Sequence, residues 1–159
     1  MNDLSRKDNF KEEISLKKGA VLFHEGEASS FMYIISKGKV GILKESDGRV
    51  TPLAIVREKN FIGEMSLFND EVRSASAVAL EDTLVFMIKK TDIRKVLKNC
   101  PDWVTNIMIT LTDRLRDVDG IMREHRISEN ELSNEFELHS DEQKQVISAL
   151  EDYKKRRGI

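Results

Sequence analysis

The sequence predicts an α+β chain: a small antiparallel barrel or roll of short strands, followed by helices. Three observations predict it. Between residues 13 and 90, short runs rich in Val, Ile, Phe and Leu alternate with Gly, Asp and Ser breaks, the pattern of strands joined by turns. After Lys90 the apolar period lengthens to that of a helix. The chain has 159 residues, 40% of them hydrophobic, enough for one core with room for a short appendage.

The elements follow in order. Residues 1–12 are polar and predict a short helix or a frayed arm. Gly38 separates a strand over 31–36 from one over 40–44, and Asp47-Gly48 is a strong hairpin turn signal. Residues 51–56 and 83–88 read as further strands, with 75–80 between them. Many short strands without long helices imply a closed antiparallel layer structure. Thr91 or Asp92 caps a short helix to residue 98. Asn99-Cys100-Pro101 breaks it, because proline disfavours helix in the residue before it. Asp102 then caps a long helix to about residue 126.

That helix carries Val104, Met108, Leu111, Leu115, Val118 and Met122 at alternating steps of 4 and 3, continued by the less apolar His125. This is the spacing of a coiled-coil seam and predicts a parallel homodimer. Trp103, Ile107 and Ile121 lie beside the seam and are expected to face the strands. An ordinary amphipathic helix packed only on its own domain is the alternative.

Charged residues make up 34% of the chain and nearly cancel, leaving a formal net charge of −2. That balance argues against nucleic acid, whose binding leans on phosphate neutralisation. One cysteine, Cys100, excludes an internal disulfide and fits a reducing cytosol. No leader pattern and no run of eighteen apolar residues occurs, so a soluble, cytoplasmic protein without a membrane segment is expected. His24, His125 and His139 lack metal-ligand spacing, so no metal is expected, and His24 is expected to be structural. No Ser–His–Asp order, P-loop or paired acidic motif points to an enzyme.

The densest chemistry lies in Phe61-Ile62-Gly63-Glu64-Met65-Ser66-Leu67-Phe68 and in Arg73-Ser74-Ala75. Gly63 lets a backbone approach a ligand closely. Glu64 is an acceptor that can take a sugar hydroxyl proton. The four residues from Met65 to Phe68 can form one helical turn with free N–H groups. Arg73 offers a planar fork of donors that suits two phosphate oxygens. Ser74 adds a hydroxyl and Ala75 leaves room. Taken alone, a Gly-Glu pair with an arginine nine residues on also arises in loops that bind nothing.

In its place along the chain, this segment resembles the phosphate-binding cassette of the cyclic nucleotide-binding domain family, which includes the catabolite activator protein and the regulatory subunits of protein kinase A. Gly19-Ala20-Val21-Leu22-Phe23-His24-Glu25-Gly26-Glu27, the run from Phe31 to Val40, and the Asp47-Gly48 hairpin resemble that family's β-roll. The likeness runs from about residue 14 to about residue 125. It implies an antiparallel β-roll of the double-stranded β-helix or jelly-roll type, with flanking helices and a long C-terminal helix. It also implies a cyclic nucleotide ligand, cAMP before cGMP. Glu64 then accepts from the ribose 2′-hydroxyl and Arg73 pairs with the cyclic phosphate. Gly63 and the N–H groups of Met65 and Ser66 form the backbone cradle, with Ser74 beside the arginine. Val72 departs from the proline of kinase-type members and points to the bacterial, activator-type branch. Asp70 and Glu71 are expected at a solvated loop tip. On the long helix the likeness places Arg114, Val118 and Asp119 near the purine, with Asp119 as an acceptor for its amino or N–H edge.

Activator-type members continue into a DNA-binding helix-turn-helix. Here about thirty residues follow the long helix, with eight acidic against five basic from residue 127 on. The chain thus divides into a ligand-binding domain with its dimerisation helix, 1–127, and a short acidic helical tail, 128–159. In the tail, Ser128-Glu129-Asn130-Glu131 and Ser140-Asp141-Glu142-Gln143 read as capping boxes. Val146, Ile147, Leu150 and Tyr153 form one apolar face, with Lys154 to Arg157 in the last turn and Gly158 at the end. This helix is expected either to pack back on the dimer or the roll, or to dock an unidentified protein partner. The expected function is a non-enzymatic cyclic nucleotide receptor that signals by helix rearrangement. A ligand-free interaction domain and a DNA-binding regulator are the alternatives.

Overall fold

The computed structural model describes residues 11–68, 71–124 and 137–158, with Lys11 and residues 119–124 in backbone only. Eight strands appear in chain order: β1 (Lys11–Leu16), β2 (Val21–Phe23), β3 (Phe31–Lys37), β4 (Lys39–Ser46), β5 (Arg49–Arg57), β6 (Phe61–Ile62), β7 (Ser76–Ala79) and β8 (Thr83–Lys89). They form two antiparallel four-stranded sheets, ordered β1-β8-β3-β6 and β2-β7-β4-β5. This is the expected β-roll. Residues 11 and 12, assigned to a polar arm, are instead the start of β1, held by its register with β8.

The inner faces of the two sheets close on Leu22, Phe23, Tyr33, Ile35, Val40, Ile62, Ala77 and Val85. The β4–β5 hairpin turns where the dipeptide signal placed it, with Asp47 at φ 50 and Gly48 at φ 73. Pro52 sits in β5, at the edge of its sheet, where a missing ladder donor is tolerated.

Three helices complete the fold: α1 (Lys90–Leu97), α2 (Asp102–Glu124) and α3 (Ser140–Arg157). The tail helix α3 packs on the outer face of the second sheet. There Val146 and Leu150 close a second core with Leu43, Val50 and Val78. Alternation along β7 explains both cores: Ala77 points into the roll and Val78 points out, under the helix. The helix begins one residue earlier than its box predicted, with His139 as the N-cap and its N–H donating to Glu142 Oε2 at 2.9 Å. The other predicted box, Ser128 to Glu131, lies outside the described residues, as does His125.

Polar contacts fix α3 further. The Tyr153 hydroxyl donates to the Glu27 carboxylate at 3.0 Å, Lys154 pairs with Glu45 at 2.5 Å, and Arg157 lies 3.6 Å from Glu27. The buried His24 ring stands edge-on to Tyr153, with centroids 6.1 Å apart. Burial, and then the bond to Glu27, push the Tyr153 phenol up from its ordinary 10 to about 12. A phenol whose folded value is raised stabilises the fold below pH 10, and that stabilisation is lost as pH rises towards 12. Tyr153→Phe should therefore remove part of the alkaline loss of stability between those values and cost on the order of 1–2 kcal/mol near neutrality. Unfolding midpoints measured across that range check both effects.

Candidate functional site

A cleft opens where β6, the segment after it and the approach to β7 meet α2. It is lined by Phe23, Ile42, Val56, Phe61, Ile62, Gly63, Glu64, Met65, Ser66, Val72, Arg73, Ser74, Ala75 and Arg116. It is open to solvent. Seven of the residues singled out by sequence thus line one wall: Gly63, Glu64, Met65, Ser66, Arg73, Ser74 and Ala75.

The local fold explains the grouping. After β6, Gly63 takes φ 93 and starts a short 3-10 turn over Glu64–Ser66. The Ser66 hydroxyl is turned inward to Ser29 Oγ at 2.5 Å, so its side chain pins the turn. Arg73 is returned to the same wall by two backbone bonds to the loop after β2. Arg73 N donates to Glu27 O at 2.8 Å, and Gly26 N donates to Arg73 O at 2.9 Å.

Arg73 is the centre of the site. Its side chain is 5% exposed. The guanidinium lies 4.1 Å over the Phe23 ring and 5.5 Å from that of Tyr33, a cation–π arrangement. Its Nη2 donates to Phe31 O at 2.7 Å. Among the described residues Nε and Nη1 have no acceptor, although the Tyr33 hydroxyl stands near. Burial pulls the Arg73 guanidinium below its ordinary value, and the neighbouring Tyr33 and Glu27 counter it. Burial likewise raises the Tyr33 phenol, and the Arg73 charge opposes that rise. A buried cation with unsatisfied donors is costly unless an acceptor arrives to meet them.

The space beside Gly63 is filled by that guanidinium. A Cβ at Gly63 would lie 2.3 Å from Arg73 Nη1 and 3.3 Å from Phe31 O. The glycine therefore makes room for the arginine, a close approach inside the protein as well as towards a ligand.

The contribution of α2 differs from the sequence expectation. Arg114 and Val118 are exposed and do not line the cleft. The Asp119 side chain lies outside the described residues. Arg116 enters the cleft instead, with Nη2 donating to Met65 O and Nη1 paired to Glu71. At about 100° per residue, Arg116 points away from both Arg114 and Val118. Its face is Val104, Met108, Thr112 and Arg116, at steps of 4, and Thr112 on it is buried. Thr112, one turn before Arg116, shares its face. Glu71 pairs with Arg116 and stays solvent-exposed, while Asp70 is outside the described residues.

On the neighbouring face Trp103, Ile107, Leu111, Leu115 and Val118 are 64%, 50%, 54%, 49% and 55% exposed. Trp103 and Ile107, expected against the strands, therefore join Leu111, Leu115 and Val118 in one outward apolar stripe. Val104 and Met108 are half-buried, and the Met122 and Ile121 side chains are outside the described residues. Among the described residues no helix is long and apolar enough to cross a membrane.

Known proteins resemble the chain in sequence and in fold. The cyclic nucleotide-binding domain profile matches residues 13–100. The chain is 32% identical over 103 residues to a cyclic AMP receptor protein of Thermus thermophilus, covering 64% of this chain and 48% of that protein. It is 34% identical over 84 residues to Rap guanine nucleotide exchange factor 3 of Homo sapiens, covering 52% of this chain and 9% of that one. Among solved structures, the cGMP-bound form of the EAL enzyme Bd1971 superposes with a TM-score of 0.62 at 33% identity, covering 73% of this chain and 32% of the other. Its cAMP-bound form gives 0.61 at 33% identity, covering 73% and 33%. The chain spans about half the length of the bacterial receptor it matches. With the profile match extending over more than half of its residues, the chain belongs to the cyclic nucleotide-binding domain family.

Proposed function

We propose that the chain is a cyclic nucleotide receptor module, with cAMP as its preferred ligand and cGMP as the second candidate. The observation that carries this reading is the Arg73 guanidinium, buried in a cleft wall with Nε and Nη1 unmatched. A cyclic phosphate supplies anionic acceptors for such donors. Glu64, on the same wall, accepts from the ribose hydroxyl, and the peptide groups of Gly63, Met65 and Ser66 cradle the phosphate. Ser74 and Ala75 border the arginine. The base lies towards Val56, Phe61 and Arg116. Cyclic AMP is preferred because the cassette is activator-like.

Ligand has to share the cleft with Arg116, so binding favours one placement of α2 over another. That differential affinity is the signal, passed to a protein partner. The outward stripe of α2 supports a homodimer through Leu111, Leu115 and Val118, continued by Trp103 and Ile107. Leu111→Asp with Leu115→Asp should convert a dimer to a monomer in sedimentation, and an unchanged mass removes the seam.

Thermal unfolding with cAMP and cGMP in parallel tests the ligand. Nucleotide at a hundred times its dissociation constant should add about 2.7 kcal/mol of stability. A shift with neither nucleotide favours a ligand-free interaction domain. Retardation of DNA at moderate salt favours a DNA-binding regulator.

A further inference from the structure

Three cations converge on the far side of the 3-10 turn, on three successive carbonyls. Arg116, from α2, donates to Met65 O. Lys90, the first residue of α1 and 4% exposed, donates through Nζ to Ser66 O. Arg94, one turn along α1, donates to Leu67 O through Nε at 3.3 Å and Nη2 at 3.2 Å. Of these, Lys90 and Arg94 do not line the ligand cleft.

We propose that Lys90, Arg94 and Arg116 form a clamp that positions the peptide planes of the turn for ligand, and that ties both helices to the site. This rests on the ligand reading above. A peptide unit is planar, so fixing its C=O also fixes the N–H on its opposite side. Arg116 on Met65 O therefore sets the Ser66 N–H, one of the cradle donors. Lys90 on Ser66 O sets the Leu67 N–H, which donates to Glu64 O at 3.0 Å and so holds the residue that receives the ribose hydroxyl. Arg94 holds the plane that follows. A cation on a carbonyl also polarises the amide, and makes its N–H a stronger donor to an anion. The last carbonyls of a helical turn have no partners within it, and cations there complement the turn's dipole. The clamp thus works from the carbonyl end while the ligand is held at the other.

Two measurements on the full chain test the clamp: amide hydrogen exchange at Leu67 and Phe68 without ligand, and cAMP affinity. Lys90→Met should speed exchange at Leu67 and Arg94→Met at Phe68, and each should weaken cAMP by about tenfold, the value of one charge-assisted hydrogen bond. Arg94→Lys, which keeps the cation, should recover most of both effects of Arg94→Met. Exchange in the β4–β5 hairpin should not change. Should Lys90→Met not fold, Arg94→Met and Arg94→Lys decide alone. Unchanged exchange at Leu67 in folded Lys90→Met, or at Phe68 in Arg94→Met, overturns the clamp. Faster exchange with unchanged affinity reduces it to a structural fastening and overturns the positioning role. If the unaltered chain binds no cyclic nucleotide but its Phe68 exchange still depends on Arg94, the ligand reading fails and the fastening remains.

Discussion

Arg73→Ala is expected to weaken cyclic nucleotide binding by about tenfold to more than a hundredfold, and to leave the fold intact. The first part follows from the strength of a charge-assisted hydrogen bond, about 1.5–3 kcal/mol net. Two such bonds are on offer from Nε and Nη1. The second part follows from what the arginine does without ligand. It stabilises Phe31 O through one bond and stacks on Phe23, but it keeps a charge buried with two donors unmatched. Removing it loses the first and relieves the second, so the free protein should melt within a few degrees of the unaltered chain. Sites built for function commonly trade stability in this way. Arg73→Lys should recover little, because an ammonium keeps the charge and loses the fork. Thermal unfolding with and without cAMP separates the two effects. A full ligand shift in Arg73→Ala would mean that the phosphate is held elsewhere.

Gly63→Ala is expected to act through the same arginine. At φ 93 an alanine is strained by roughly 1–2 kcal/mol. Its Cβ would also fall 2.3 Å from Arg73 Nη1, so the guanidinium must leave its place over Phe23. Affinity should fall by about tenfold or more, at the level of losing one of the two bonds. A double-mutant cycle checks the route: in an Arg73→Ala background, Gly63→Ala should cost stability and no further affinity. Additive losses would show that Gly63 acts on ligand through its own backbone alone.

The roll and the cassette were legible because their determinants are local. The Asp47-Gly48 turn, the Gly38 break and the period-2 runs each specify a strand end or a face within a few residues. Gly63, Glu64 and Arg73 lie on the single segment between β6 and β7, so their grouping could be read from adjacency in sequence. The face of α3 was legible for the same reason: Val146, Leu150 and Tyr153 are all buried.

Orientation across long separations was not legible. The helix α2 has two adjacent stripes, one headed by Trp103 and one by Val104. Nothing in its periodicity says which of them meets the roll. The answer comes from contacts with residues far away in sequence, Arg116 with Met65 and Glu71. That choice places Arg116 in the cleft and Arg114 and Val118 outside it. The use of Glu27 was hidden in the same way. Its carboxylate faces Tyr153 and Arg157 of the tail helix, while its carbonyl holds Arg73 N. Neither role can be read from a glutamate in a turn. The carbonyl clamp was also out of reach, since a lysine at the start of a helix reads as solvated until its burial is seen.

The most direct test of the account is a crystal structure of the chain grown with cAMP. The account predicts cyclic phosphate oxygens within hydrogen-bond distance of the Arg73 guanidinium, with the ribose hydroxyl on the Glu64 carboxylate. A cleft that stays empty at saturating nucleotide, or a nucleotide bound away from Arg73, would contradict it.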